Sequence, residues 1–124
     1  MSIATEVRAA LKSSLASVSA NIYDHVPENP IVPHVSIVPD DPYLDIETVG
    51  KSTLRLRVNM VLACGVNYAS NAASLENLEA LIVSVLANMP SGYIVGEVNR
   101  PTVTQVGSSN QLVADIRIST YFQN

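Results

Sequence analysis

The sequence predicts an α+β domain in which an antiparallel or mixed β-sheet carries two α-helices packed on one face. From Thr53 to Ala63, apolar and polar residues alternate with the period of two that suits a strand with one buried face. From Leu75 to Met89, apolar residues recur at spacings of three and four, which is typical of an amphipathic helix. The predicted order is α, β, β, β, α, β, β, β, with hairpin-length connections near the end, which favours antiparallel neighbours.

The first predicted helix runs from about Ser2 to Ser19, with Ser2 as its N-cap. Its expected buried face comprises Ile3, Val7, Ala10, Leu11, Leu15 and Val18. A short strand, Asn21 to Tyr23, is expected to follow.

Residues 24–51 contain five of the chain's seven prolines, which excludes a helix and predicts extended backbone. Within this segment we predict a strand from His34 to Val38, near a sheet edge or entering the sheet from a loop. Asp40 to Gly50 is expected to form a loop or a long hairpin tip, so that residues 39–51 make an extended acidic arm.

The central strand is predicted from Thr53 to Ala63, followed by a turn at Gly65-Val66-Asn67. Asn67 or Ser70 is expected to cap the second helix, which runs to about Asn88. The last predicted strands are Tyr93 to Val98, Thr102 to Val106 and, after a turn at residues 107–110, Gln111 to Phe122. In the expected core, Leu54, Leu56, Val58, Met60 and Leu62 pack against Leu11, Leu15, Leu78, Ile82 and Val85.

Composition indicates a single globular domain over residues 1–124, with 48% hydrophobic and 15% charged residues. The charged share is below the roughly 25% usual for soluble domains, so we expect a partner to cover part of the surface. A net charge of -4, with no run of Lys or Arg, argues against a nucleic-acid interface. We find neither a membrane span nor a signal peptide, and the single cysteine, Cys64, agrees with a reducing cytosol.

No motif predicts catalysis, cofactor binding or a metal centre, so we expect no enzyme here. The residues that could bind a metal ion are Asp24, His25, His34, Asp40 and Asp41. Their spacing matches no known ligand motif, so we interpret the two histidines as solvated loop residues. Cys64 has no basic neighbour in sequence that would lower its pKa, so we expect a small packing residue.

Two features suggest assembly. The second helix is apolar over an arc of roughly 200° because Leu81 and Val83 flank its stripe, with Glu79 inside the arc. This arc is either a subunit contact or a face whose flanks are covered by loops. The acidic arm is either a docking element, anchored by Tyr43, or a solvated loop. Its candidate docking residues are Asp40, Asp41, Tyr43, Leu44, Asp45, Ile46 and Glu47.

Several segments resemble the tail terminator, or tail completion, proteins of long-tailed bacteriophages. They are Tyr23 to Pro27, Pro33 to Pro39, Asp41 to Tyr43, Leu54 to Val58, the helix from Leu75 to Leu86, and Leu112 to Ile118. The resemblance implies a hexameric ring that caps the tail tube and offers a head-joining surface. It also implies two protein partners, the tail tube protein and a head-completion or stopper protein. DNA would pass through the lumen without specific binding. The expected location is the tail-neck region of the virion, after assembly in the host cytoplasm, and the family supplies no catalytic residues.

Three other interpretations stay open from sequence. One is a neck or head-completion connector protein of the same virion. Another is a small enzyme that uses His25 or His34 with Asp24. The third is a monomeric peptide-binding module that uses the same exposed edges.

Overall fold

A computed structural model describes residues 3–25, 31–50, 54–69, 72–106 and 109–123. Within these residues the chain has a mixed α+β fold, with a six-stranded sheet and two helices. The strands are β1 Asn21–Tyr23, β2 His34–Val49, β3 Leu54–Asn67, β4 Tyr93–Val98, β5 Thr102–Val106 and β6 Ser109–Gln123. Helix α1 spans Ala10–Ser14 and continues a π-helical segment, Ala4–Ala9, while α2 spans Ala72–Ala87.

The sheet has the order β1-β2-β3-β6-β4, and β5 also pairs with β6. Only the β1–β2 pair is parallel among the described strands, since β3 runs antiparallel to β2 and β6, and β6 runs antiparallel to β4 and β5. β4 and β5 lie one after the other along the same edge of β6. The expected mixed sheet is therefore confirmed, and the predicted bounds of β1, β4 and β5 agree with the structure.

One face of the sheet carries the core. Alternate residues of β3 and β6 point to this face and join the helices in a single apolar cluster. The cluster includes Val7, Leu11, Leu15, Val18, Val35, Ile37, Leu56, Val58, Met60, Leu62, Cys64, Leu78, Leu81, Val85, Leu112, Ala114, Ile116, Ile118 and Phe122. Leu54 and Ile82, also expected in the core, are partly buried against it. The opposite face of the sheet, which includes Arg55, Arg57 and Asn59, is called the polar face below.

Both helices differ from their predicted bounds. The first ends at Ser14 instead of Ser19, because the chain turns at Leu15 while Leu15 and Val18 still reach the core. The second begins at Ala72, so Asn67 is not its N-cap. Ser2 and Ser70, the other proposed caps, lie outside the described residues.

Helix α2 is also rotated relative to the prediction. Its buried residues are Ser74, Leu78, Leu81 and Val85. Leu75 and Leu86, which the pattern placed on the buried stripe, are 45% and 37% exposed. Leu81, which we predicted at the flank of the apolar stripe, is a core residue. The helix is therefore rotated about its axis, so that the Leu81 side of the apolar arc packs on the sheet.

The predicted turn at Gly65-Val66-Asn67 is wrong, because β3 continues through these residues and pairs with β6 as far as Gln111. Gly65 serves close packing here. The buried His34 ring of β2 lies against it on the polar face, and a Cβ at Gly65 would collide with that ring. His34 Nε2 lies 2.9 Å from Gln111 Oε1, which ties three neighbouring strands together at this end of the sheet.

Of the two alternatives for Asp40 to Gly50, the loop is wrong over most of its length, whereas the long hairpin agrees with the pairing of β2 and β3. β2 continues to Val49, antiparallel to β3, and the prolines are accommodated by a register shift between Pro39 and Leu44. β1 pairs only with His34–Ser36, so the remainder of β2 borders the described sheet, as the predicted edge position requires. Residues 51–53 of the predicted arm and strand lie outside the described residues.

The rotation of α2 can be tested with two leucines three residues apart. Leu78 is fully buried, so Leu78→Ala should lower the free energy of unfolding by about 2–5 kcal/mol. Leu75→Ala, at a half-exposed position, should cost about 1 kcal/mol or less. Urea denaturation of both variants measures the difference. Equal losses would show that the predicted helix stripe, rather than the observed one, is correct.

The packing of Gly65 under His34 predicts a non-additive pair. Gly65→Ala should destabilise the fold by about 1–3 kcal/mol because the new methyl group displaces the ring. In a His34→Ala background, the same change should cost little, since the ring is gone. A double-mutant cycle by chemical denaturation measures this coupling. Additive losses would mean that the ring does not restrict position 65.

Candidate functional site

The β2–β3 hairpin extends beyond the helices. β3 has 14 residues and spans about 46 Å at the rise of a strand, whereas the 16 residues of α2 span about 24 Å. Beyond the helices, three apolar side chains on the core face of β2 are exposed. They are Leu44, Ile46 and Val49, with exposed fractions of 37%, 67% and 71%. These three residues are called the hairpin end below.

The register explains why the hairpin end belongs to the apolar face. Leu44 pairs with Val58 and Ile46 with Leu56, and directly opposite residues in an antiparallel pair share a face. Leu56 is still buried, so the part of the sheet that is shielded from solvent ends near the Ile46–Leu56 pair. An exposed apolar patch at the end of a sheet is typical of a protein-binding surface.

The acidic candidates lie on the other side of β2 and are mostly paired within the chain. Asp45 Oδ2 is 3.5 Å from Arg57 Nη2 and accepts a hydrogen bond of 2.7 Å from Asn59 Nδ2. Glu47 Oε1 is 4.0 Å from Arg55 Nε. The Arg55 guanidinium also lies 4.3 Å from the centroid of the Tyr121 ring.

Asp40 makes a third cross-strand contact, with Arg117 of β6, at 3.8 Å between Oδ2 and Nε. Arg117 also reaches Glu97 of β4, at 3.3 Å. The acidic candidates Asp40, Asp45 and Glu47 therefore belong to an ion-pair row across the polar face, while Asp41 is exposed. The alternation Arg55, Arg57 opposite Asp45, Glu47 was the sequence signal for this row, because opposite charges pair across neighbouring strands.

Asp115 occupies the same polar face as this row. Partial burial raises the pKa of its carboxyl above the ordinary range, Arg117 opposes this shift, and Asp40 adds to it. Ionisation of Asp115 therefore lowers the stability of the folded state.

Tyr43 is not a free anchor. Its side chain is half-buried and packs against the core cluster. The ring therefore already has contacts within the fold, and its expected docking on a partner stays a prediction. The exposed apolar groups of the segment are Leu44 and Ile46.

A groove at the opposite end of the sheet encloses about 540 Å³. One wall is formed by α2, through Ala73, Asn77, Ala80, Leu81 and Ser84. The other is formed by chain segments at the sheet end, including Val32, Pro33, Val66 and Asn67. All its described lining residues are uncharged and most are small or apolar. We call this feature the α2 groove.

The remaining interface candidates lie on the side of α2 away from the groove. Val83 is 65% exposed, and Glu79 is exposed as well, so its carboxylate reaches water. Successive residues are rotated by about 100°, so Val83 lies about 60° from Ala80 and about 100° from Ser84 around the helix, and it does not line the groove. Glu79 and Val83 stay candidates for a contact, whereas Leu81 is a core residue.

The histidines do not form one site. His25 is exposed and its Nδ1 lies 3.0 Å from Asp24 Oδ1, whereas His34 is buried and pairs with Gln111. The interpretation of both as solvated loop residues is wrong for His34. Burial lowers the pKa of His34, and the Gln111 contact opposes this. Among the described residues, no group of three or more His, Cys, Asp or Glu is placed to hold a metal ion.

Cys64 is a packing residue, as expected. It is fully buried, and burial raises the pKa of its thiol to about 12, with the charge of Asp115 contributing. The thiolate, which is the nucleophilic form, is therefore disfavoured at neutral pH.

The chain matches no protein-family model and no curated protein. None of the helices in the described part of the chain has the length and apolar composition required to cross a membrane.

The carboxyl of Asp115 predicts a specific pH dependence. Because its pKa is raised by folding, the folded state holds the proton more tightly, and stability falls as pH rises from the unfolded pKa through the folded one. Asp115→Asn should therefore raise the unfolding temperature at neutral pH, with the gain vanishing below the ordinary Asp pKa of about 3.9. Thermal unfolding across a pH series measures this.

The matched control is Asp45→Asn, which removes a carboxylate that pairs with Arg57 and accepts from Asn59. It should give no gain at neutral pH. A loss of stability in Asp115→Asn at neutral pH would instead show that ionised Asp115 stabilises the fold.

Proposed function

We propose that this chain is a structural virion protein of a long-tailed bacteriophage, of the tail-terminator type. Six copies form a ring that caps the tail tube and offers the surface on which the head is joined. The partners are the tail tube protein and a head-completion or stopper protein. The chain acts through its surfaces in the tail-neck region, after assembly in the host cytoplasm, and not as an enzyme.

The observation that supports this proposal most directly is the exposed hairpin end. Ile46 and Val49 are each about two-thirds exposed or more on the apolar face of a well-paired strand. Leaving these groups in water is unfavourable, and a contact that covers them gains roughly 25 cal/mol per Å² of apolar area. Together with the resemblance to tail terminators, this favours an assembly role.

Charge supports the proposed passage of DNA through the ring. The chain has only seven Lys and Arg residues against eleven Asp and Glu. Arg55, Arg57 and Arg117 are engaged by carboxylates of the same chain. Few cations are left to displace counterions from phosphates, so DNA slides past without a specific contact.

The proposal is tested by producing the virus's tail tube protein in the host with and without this chain. With it, we expect tubes of uniform length capped by a ring at one end in negative-stain images. The double variant Ile46→Asp, Val49→Asp should fold normally, because both positions are exposed, but should leave tubes uncapped and of variable length.

Ile94→Asp is the matched control, since Ile94 is 53% exposed on β4 and lies outside the hairpin. It should still cap tubes. A ring found on heads instead of tube ends would identify a neck connector, and a monomer that never associates with tubes would contradict the proposal.

A further inference from the structure

Two apolar features of this chain lack a described partner and lie at opposite ends of the same sheet. The hairpin end exposes Leu44, Ile46 and Val49, and the α2 groove is an uncharged depression of about 540 Å³. This volume lies within the range of about 300–1,000 Å³ typical of binding pockets. The hairpin end is apolar and the described lining of the groove is uncharged, so contact between them would bury apolar surface on both sides.

The hairpin cannot fill the groove of its own molecule. Ile46 of β2 pairs with Leu56 of β3, whereas the groove is lined by Val66, which lies ten residues further along β3. The ten residues between Leu56 and Val66 span about 33 Å of extended chain. Since β3 is continuously paired with β6 over this distance, the strand does not fold back on itself.

Charge favours the same contact. Two carboxylates of the hairpin, Asp45 and Glu47, are engaged on the polar face by Arg57 and Arg55. The side that carries Leu44 and Ile46 is therefore apolar, and the groove presents no described charged group to it. Burial of the hairpin end in such a groove desolvates apolar area without stranding a carboxylate.

We propose that the hairpin end of one copy binds in the α2 groove of a second copy. The contact joins two different surfaces, so it is head-to-tail and leaves every copy with one free hairpin and one free groove. Repetition of this contact produces a ring if the rotation closes and a filament if it does not. The inference stands on the geometry of the chain and does not require the proposed viral role.

Disulfide trapping in the purified chain tests the contact directly. The native Cys64 is buried with a raised thiol pKa, so it provides a silent background. We introduce Ile46→Cys and Ala80→Cys together, since Ala80 lies in the groove wall, and oxidise with diamide, which takes up the two thiol hydrogens. A disulfide forms only where the two Cα atoms approach within about 7 Å, so it reports the seated hairpin.

The matched control is Ile46→Cys with Val83→Cys, because Val83 is exposed on the same helix but does not line the groove. We expect the Ala80 pair to form a ladder of covalent multimers, roughly tenfold faster than the Val83 pair, because docking raises the local thiol concentration. Mixing the two single variants, Ile46→Cys and Ala80→Cys, should give covalent dimers and nothing larger, since each copy carries only one introduced thiol.

A second pair, Val49→Cys with Ser84→Cys, makes the result independent of one rotamer, and thermal unfolding of the reduced proteins verifies that each variant folds. An excess in either groove pair over the Val83 pair supports the proposal. Equal cross-linking of groove and control pairs, or faster cross-linking at Val83, overturns it, and the latter result would assign the contact to the outer face of α2. None of these results depends on tail tubes, so they are separable from the test of the proposed function.

Discussion

The structure depends on a mismatch of lengths between its two layers. β2, β3 and β6 have 16, 14 and 15 residues and are paired along most of their length. A helix advances only about 1.5 Å per residue, less than half the rise of a strand, so helices of ordinary length cover only part of such a sheet. The covered part is the core, from Val7 and Leu11 to Val85. The uncovered part carries the exposed apolar residues Leu44, Ile46 and Val49.

The uncovered part is stabilised differently from the core. On its polar face, Arg55, Arg57 and Arg117 contact carboxylates of β2 and β4, while its other face remains apolar. Exposed ion pairs of this kind contribute little energy each, commonly 0–1 kcal/mol, so their main effect here is to keep charge on one side of the hairpin. A hairpin divided in this way can bury one face against a protein without removing its charges from water.

The sequence predicted those parts of the fold in which one periodic pattern decides the outcome. Alternation identified the buried residues of β3, and the predicted bounds of β4 and β5 agree with the structure. The bounds failed where tertiary contacts decide. In the sequence, Gly65 has the character of a turn residue, but in the fold it lies in a strand, where only glycine leaves room for the His34 ring. Pro39 and Pro42 argue against a strand in the sequence, but β2 accommodates them through a register shift and its position at the edge of the sheet. Leu75 and Leu86 fit the apolar period of α2 as well as Leu81 does, so periodicity alone could not fix the helix rotation. The sequence grouped the acidic and apolar residues of the arm together, but their division between a charged row and an apolar end required the register.

The position of β6 has a consequence for how this chain folds. It follows every other described strand in sequence, yet it lies inside the sheet and pairs with β3 on one side and with β4 and β5 on the other. Until β6 is in place, the backbone N–H and C=O groups along one edge of β3 have no partner, and β4 and β5 have no strand to pair with. Pairing between strands that are distant in sequence slows folding. During synthesis, the chain without β6 exposes apolar surface and unpaired strand edges, which favour aggregation. A nonsense mutation in the first codons of β6 would therefore release an aggregation-prone fragment, and not a slightly shortened protein.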